Sequence, residues 1–199
     1  MNNRYKLSNK MIKDALEIIP LGSQTFSKSI ASYPRGISPL FIKKGYGSHV
    51  WDVDDNEYID FVNGLASVTL GYNDSEVNAS IVKQLTNGIT FSLPHDLEVQ
   101  IAKLIIEMVP SAEMVRFGKN GTDATSASIR LARAYTGREH VAVCGYHGWQ
   151  DWYIGSTARD LGVPSGVKEL THTFLYNNIE SLEKIFKKLP NKVAAVIME

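Results

Sequence analysis

Met114-Val115-Arg116-Phe117-Gly118-Lys119-Asn120-Gly121-Thr122-Asp123-Ala124-Thr125, continuing through an alanine-rich run to Tyr135-Thr136-Gly137, is the stretch whose reading decides the fold. Its first four residues read as a short apolar strand, Gly118 to Thr122 as a turn, and the remainder as a helix closed by Gly137. A helix opening from such a turn leaves its first N–H groups without intrahelical partners at the positive end of its dipole. It is therefore a seat for phosphate or another anion. The competing reading is an ordinary capped core helix, which Ala124, Ala127 and Ala134 would let approach a sheet closely.

Downstream, His140-Val141-Ala142-Val143-Cys144 reads as a strand running into the glycine-rich aromatic segment Gly145-Tyr146-His147-Gly148-Trp149. Irregular residues 150–170 lead to a strand at Thr171–Leu175, a helix near Asn178–Leu189 and a last strand, Val193-Ala194-Ala195-Val196-Ile197-Met198-Glu199. The order from Met114 is β-α-β-loop-β-α-β. That alternation predicts an α/β fold with a parallel sheet, and sites at the C-terminal ends of its strands.

Upstream, helices are predicted from Asn73 or Asp74 through about Thr86, with Val77, Ile81 and Leu85 in register, and from Leu97 to Met108, striped by Leu97, Ile101, Leu104, Ile105 and Met108. Short strands at Leu40–Lys43, Ser48–Asp52 and Tyr58–Phe61, joined by Lys44–Gly47 and Asp54–Asn56, predict a small antiparallel meander. The glycines of Gly64–Gly71 suggest backbone held against another element. Residues 20–39 are irregular, and 9–19 form an amphipathic helix stopped by Pro20. The expected organisation is residues 1–72 as helix, irregular segment and meander, and 73–199 as the first part of a larger α/β domain. A natural chain seldom stops inside a central strand, so truncation is expected at Glu199.

Twenty-one basic and 21 acidic residues cancel, so charge nominates neither nucleic acid nor a membrane surface. The lone cysteine excludes an intrachain disulfide and suits a reducing cytoplasm. With no leader-like or membrane-length apolar run, a soluble cytoplasmic protein is expected. Gly118–Thr122 matches neither the P-loop nor the dinucleotide fingerprint, the histidines lack metal-ligand spacing, and no nucleophile elbow is present. What remains is a possible phosphate seat at Asn120-Gly121-Thr122 and, one parallel strand later, Tyr146 at a strand end. An anion anchor beside an aromatic face suits a phosphorylated aromatic cofactor; a rim aromatic is the plainer alternative for Tyr146 alone.

These residues carry a family resemblance. Phe117–Thr125, Ile129–Arg138 and Tyr146-His147-Gly148 resemble the class III pyridoxal-phosphate (PLP) aminotransferases, nearest the branch containing glutamate-1-semialdehyde 2,1-aminomutase. Val50–Asp54 with Tyr58–Asp60 resembles that family's N-terminal meander, and Ala194–Glu199 its strand before a Glu-Pro. The resemblance implies the PLP-dependent transferase fold of type I, aspartate aminotransferase-like. It implies that Asn120, Gly121 and Thr122 bind the cofactor phosphate, that Tyr146 stacks on its ring with His147 in support, and that Glu199 is a cofactor-side acid. It also implies a small amino donor and carbonyl acceptor, and a homodimer.

The chain departs from the family in places. Lys119-Asn120-Gly121-Thr122-Asp123-Ala124 replaces Asn-Ser-Gly-Thr-Glu-Ala, losing one hydroxyl. Lys28 stands where the aminomutase has a carboxylate-binding arginine, and a lysine lacks the bidentate fork. Leu65 stands where that enzyme has a tryptophan near the substrate. The Schiff-base lysine and the aspartate paired with the ring nitrogen are expected beyond Glu199, so no catalytic residue is assigned here and the chain alone is expected to be inactive. Two alternatives stand beside an aminotransferase or aminomutase: a non-catalytic binding or assembly protein of the same family, and generic nucleotide or phosphosugar binding.

Overall fold

The computed structural model describes residues 3–199. The chain divides into two compact units, Met1–Pro94 and His95–Glu199.

The first unit begins with α1 (Lys6–Ile18), whose apolar stripe buries Ile12 and Ala15. Its N-terminus is capped from afar: the Asp54 carboxylate accepts the N–H groups of Leu7 (2.6 Å) and Ser8 (2.9 Å). The irregular segment that follows is punctuated by 3-10 turns at Pro20–Gly22 and Phe26–Lys28.

The expected meander is present as β1 (Ile42–Tyr46), β2 (His49–Asp52) and β3 (Glu57–Ile59), antiparallel in that order. Lys44, Gly45 and Tyr46 belong to β1 rather than to a turn; Tyr46 pairs with His49, leaving Gly47-Ser48 as a two-residue loop. Gly47 at φ +56° supplies the positive φ that so tight a hairpin needs. Buried Asp52 organises the next turn, accepting the N–H groups of Asp54 and Asn56 and the Tyr58 hydroxyl.

A single turn, α2 (Asn63–Ala66), then winds left-handed. After it, Gly71 presses on Gly47 so closely that a Cβ would lie 3.2 Å from that backbone, which bears out the expectation drawn from the glycines. Helix α3 (Ser75–Leu85) is capped by Asp74, whose side chain accepts from Glu76 and Val77.

The second unit opens with α4 (Asp96–Met108), started by a reciprocal His95/Glu98 capping box. It continues with α5 (Gly121–Thr136), β4 (His140–Cys144), α6 (Asp151–Ile154), α7 (Ser165–Lys168), β5 (Thr171–Thr173), α8 (Ile179–Lys188) and β6 (Val193–Met198). The three strands form a parallel sheet in the order β5-β4-β6. Its core joins Ile129 of α5 to Val141 and Val143 of β4 and to Trp152 and Tyr153 of α6, with Ala195 and Ile197 of β6 packed against them.

Three expectations need correction. Met114–Phe117 is not a strand: none of the described strands pairs with it, and Met114 is 91% exposed. A strand is made by the ladder it joins, and apolar content alone does not supply one. Second, Ala124, Ala127 and Ala134 are exposed. At 3.6 residues per turn they lie about 140–160° around α5 from Ile129, so the face toward the sheet is the Thr125–Ile129–Ala132 side. Third, residues 150–170 are not wholly irregular, because α6 and α7 fall within them.

On the other face of the sheet from Val141 and Val143, His140 Nδ1 and His172 Nε2 lie 2.9 Å apart across β4 and β5.

Candidate functional site

Helix α5 begins at Gly121, two residues earlier than a turn over Gly118–Thr122 implies. Asn120 is extended (φ −147°, ψ 172°), and its Oδ1 accepts the Asp123 N–H at 3.0 Å, an N-cap that Ala could not make. Asp123 turns back, its Oδ2 accepting the Lys119 N–H at 3.1 Å. That engages the one acid of the first turn, which would otherwise compete with a bound anion. The N–H groups of Gly121 and Thr122 meet no acceptor among the described residues, and a Cβ at Gly121 would project into open space. Two unpaired amides at the positive end of a 16-residue helix, with the Thr122 hydroxyl beside them, match what a phosphate requires.

The second half of the site is the exit of β4. Strands β4 and β6 are parallel neighbours, and their ladder continues past Cys144, whose carbonyl accepts the Glu199 N–H at 3.1 Å. The Glu199 carboxylate in turn accepts the Tyr146 N–H at 2.9 Å. Gly145, at φ +85°, lies so close that a Cβ would stand 2.7 Å from that of Glu199. The Tyr146 backbone is thereby fixed while its ring stays 65% exposed, edge-on to Tyr153 at 5.8 Å. An exposed aromatic face on an anchored backbone can cover a flat ring.

His147 points the other way. It is buried, and its Nε2 lies 2.7 Å from the Cys144 carbonyl. A carbonyl only accepts, so Nε2 carries the proton. The ring stacks on Trp152 (6.3 Å, 27°) and meets Tyr153 edge-on at 5.3 Å. His147 is thus a support beneath the Tyr146 loop. Burial, reinforced by the neighbouring charges of Tyr146 and Glu199, raises the Tyr153 hydroxyl above its ordinary pKa. It remains a neutral donor to the Gly145 carbonyl at 2.8 Å.

The two halves meet directly. Thr125 Oγ1 donates to the His147 carbonyl at 2.8 Å, and Gly148, at φ +107°, passes so near Thr122 that a Cβ would lie 2.4 Å from its Oγ1. Asn120, Gly121, Thr122, Tyr146, His147 and Glu199 are therefore brought to one end of the sheet. Sequence reasoning missed Thr125, Gly148 and Tyr153. Thr125 had a signal, since i+3 from Thr122 puts it on the same side of the helix; Gly148 and Tyr153 had none beyond their neighbourhood.

Lys28 and Leu65 belong to the first unit. There, a cavity of about 650 Å³ is lined by both, together with Tyr33, Ile42, Asp60 and Tyr72. Lys28 comes from the second 3-10 turn and Leu65 from α2, so the two residues singled out for substrate contact line one cavity from different elements. Among the described residues no group of three or more His, Cys, Asp and Glu could hold a metal ion, and no helix is long and apolar enough to cross a membrane.

The profile of the aminotransferase class-III family matches residues 32–199. The chain is 40% identical to a glutamate-1-semialdehyde 2,1-aminomutase of Natranaerobius thermophilus, covering 98% of this chain and 48% of that protein. It is 44% identical to one of Persephonella marina over 82% of this chain and 41% of the relative. Among solved structures, an omega-transaminase from Sphaerobacter thermophilus superposes with a TM-score of 0.87 at 28% identity, over 100% of this chain and 49% of that one. The FumI protein of Sphingopyxis sp. MTA144, a PLP-containing structure, gives 0.87 at 31% identity over 98% and 46%. The chain thus spans about half the length of the relatives it matches. Its fold is that of the PLP-dependent transaminases, and the chain belongs to the class-III aminotransferase family.

Proposed function

We propose that the full-length protein is a PLP-dependent aminotransferase or aminomutase, resembling glutamate-1-semialdehyde 2,1-aminomutase, and that this chain seats the cofactor. The observation that carries the reading is the junction of α5 with the β4 exit: unpaired Gly121 and Thr122 amides beside an exposed Tyr146 ring whose backbone Glu199 holds. In this reading Asn120 fixes the helix start, Gly121 and Thr122 bind the phosphate, Tyr146 covers the ring, and His147 supports the loop from below. The bound cofactor would supply an electron sink for the bond to the substrate's amino-bearing carbon. Lys28 would offer a positive charge to a substrate carboxylate and Leu65 an apolar wall. The lysine that holds the cofactor covalently, and the acid that pairs with its ring nitrogen, would come from the remainder of the protein. A cytoplasmic homodimer using a small amino donor and a carbonyl acceptor completes the reading.

The test is spectroscopic. Purified full-length protein should carry the cofactor's absorbance and convert it to the pyridoxamine form when an amino donor is added. Folded protein without that absorbance would overturn the proposal. Thr122→Val and Gly121→Pro should each weaken cofactor retention at least tenfold, because each removes a phosphate donor.

A further inference from the structure

Helix turn α2 is the longest run of left-handed backbone in the described chain: Asn63, Gly64, Leu65 and Ala66 have φ of 54°, 59°, 59° and 65°. Only one of the four is glycine. The other three bring a Cβ toward the following carbonyl, and such a run persists only where its surroundings over-determine it.

Those surroundings are specific. The Asp60 carboxylate accepts the N–H groups of Val62 (2.9 Å) and Asn63 (3.2 Å) on Oδ1, and the Gly64 N–H (3.0 Å) and Tyr72 hydroxyl (2.6 Å) on Oδ2. Tyr72 is itself held at both ends. Its backbone exchanges hydrogen bonds with Gly47 at 2.8 and 2.9 Å, and its ring lies on Gly45, where a Cβ would stand 2.5 Å from the ring. Gly64 admits no side chain, since its Cβ would meet Val68 at 2.5 Å. The reversal after β3 is thus bolted through one carboxylate and one phenol to the β1–β2 hairpin.

What the bolted turn presents is Leu65, on the wall of the cavity that Lys28 and Tyr33 also line. A backbone run this unfavourable at a cavity wall, secured by four charge-assisted bonds, sets where one side chain stands. We infer that Asp60 and Tyr72 are positioning residues: they hold Leu65 at a fixed depth in the cavity and thereby limit the apolar bulk a substrate can bring beside Lys28. The inference rests on the amino-transfer reading for what the cavity receives. The lock itself does not.

The experiment uses the full-length wild-type protein and three variants: Tyr72→Phe, Leu65→Ala and the double mutant. kcat/KM is measured for a short and a bulky amino donor that share a carboxylate. Leu65→Ala should raise the bulky-to-short ratio about tenfold, Tyr72→Phe about fivefold, and the double mutant should match Leu65→Ala, because Tyr72 acts through Leu65. Effects that multiply, or a Tyr72→Phe ratio within twofold of wild type, overturn the proposal. Hydrogen exchange of the peptide spanning residues 61–68, read by mass spectrometry, is independent of turnover. Tyr72→Phe should speed it at least tenfold, and unchanged exchange overturns the lock. A wild-type protein that turns over no donor overturns the amino-transfer reading and the specificity role with it, whatever the exchange result says of the lock.

Discussion

Gly148 shows how much of the site depends on the absence of an atom. Its φ of +107° is open to few L-residues, and a methyl group there would fall 2.4 Å from Thr122 Oγ1, one of the groups we propose for the phosphate. Gly148→Ala is expected to destabilise the protein by about 1–3 kcal/mol, the range for a forced backbone outlier, when measured by denaturant unfolding. It should also loosen cofactor binding more than it lowers the melting temperature, since relief of the clash comes from moving Thr122. At the same scale, the Tyr72 bond and then the turn's backbone amides outweigh burial and hold the Asp60 carboxyl below its ordinary range. The Asp60 bond and burial push the Tyr72 hydroxyl up to about 12. The depressed acid contributes stability that is lost as pH falls below about 4, and the raised phenol contributes stability lost as pH rises from about 10 to 12. Tyr72→Phe should remove Tyr72's share of the alkaline limb of the unfolding profile, leaving that of other raised phenols such as Tyr153, and take Tyr72's titration out of the ultraviolet spectrum.

Among the elements, α5, β4, α8 and the β1–β2–β3 meander were legible because each is specified locally. Asn120 caps, Gly137 closes at φ +66°, and Gly47 makes the hairpin. The Met114–Phe117 segment was not, since nothing within four apolar residues says whether a neighbouring strand exists to receive them. The orientation of α5 was misjudged for a related reason. Alanine permits close approach but does not demand it, whereas Ile129 must be buried. In the site, Asn120 and Tyr146 could be read from the chain, while Gly148 and Tyr153 acquire their roles only from what the fold sets beside them. The β4–β5 pair adds an element-scale expectation. Burial, then the charge of His140 and of Lys188, lowers the His172 pKa. In that window the unfolded chain binds more protons, so stability should fall as pH drops below about 6.5. Replacing His172 by Leu should flatten that acid slope in a melting series across pH 4–8.

For the molecule as a whole, the apolar stripes of α3 and α4 are left exposed within their units. Ile81 is 53% exposed, Leu104 51% and Met108 76%. Apolar area of this kind marks a surface that another surface covers. The formal charge of zero offers no repulsion to oppose association. The isolated 199-residue chain is expected to self-associate near neutral pH and to bind a hydrophobic dye. The full-length protein should bind far less dye at equal concentration, and sedimentation velocity should give it a single closed species.

The left-handed backbone of α2 reverses the usual preference for L-residues. A residue that strains an L-amino acid is at rest for its enantiomer, so Ala66, exposed at φ +65°, is a site where the natural stereochemistry is the less stable choice. Ala66→Gly should stabilise the folded protein by up to about 1 kcal/mol, and D-alanine introduced there by semisynthesis by more, because it keeps the methyl group and the stiffer unfolded chain. L-alanine at that position is tolerated only as long as Asp60 keeps hold of the turn.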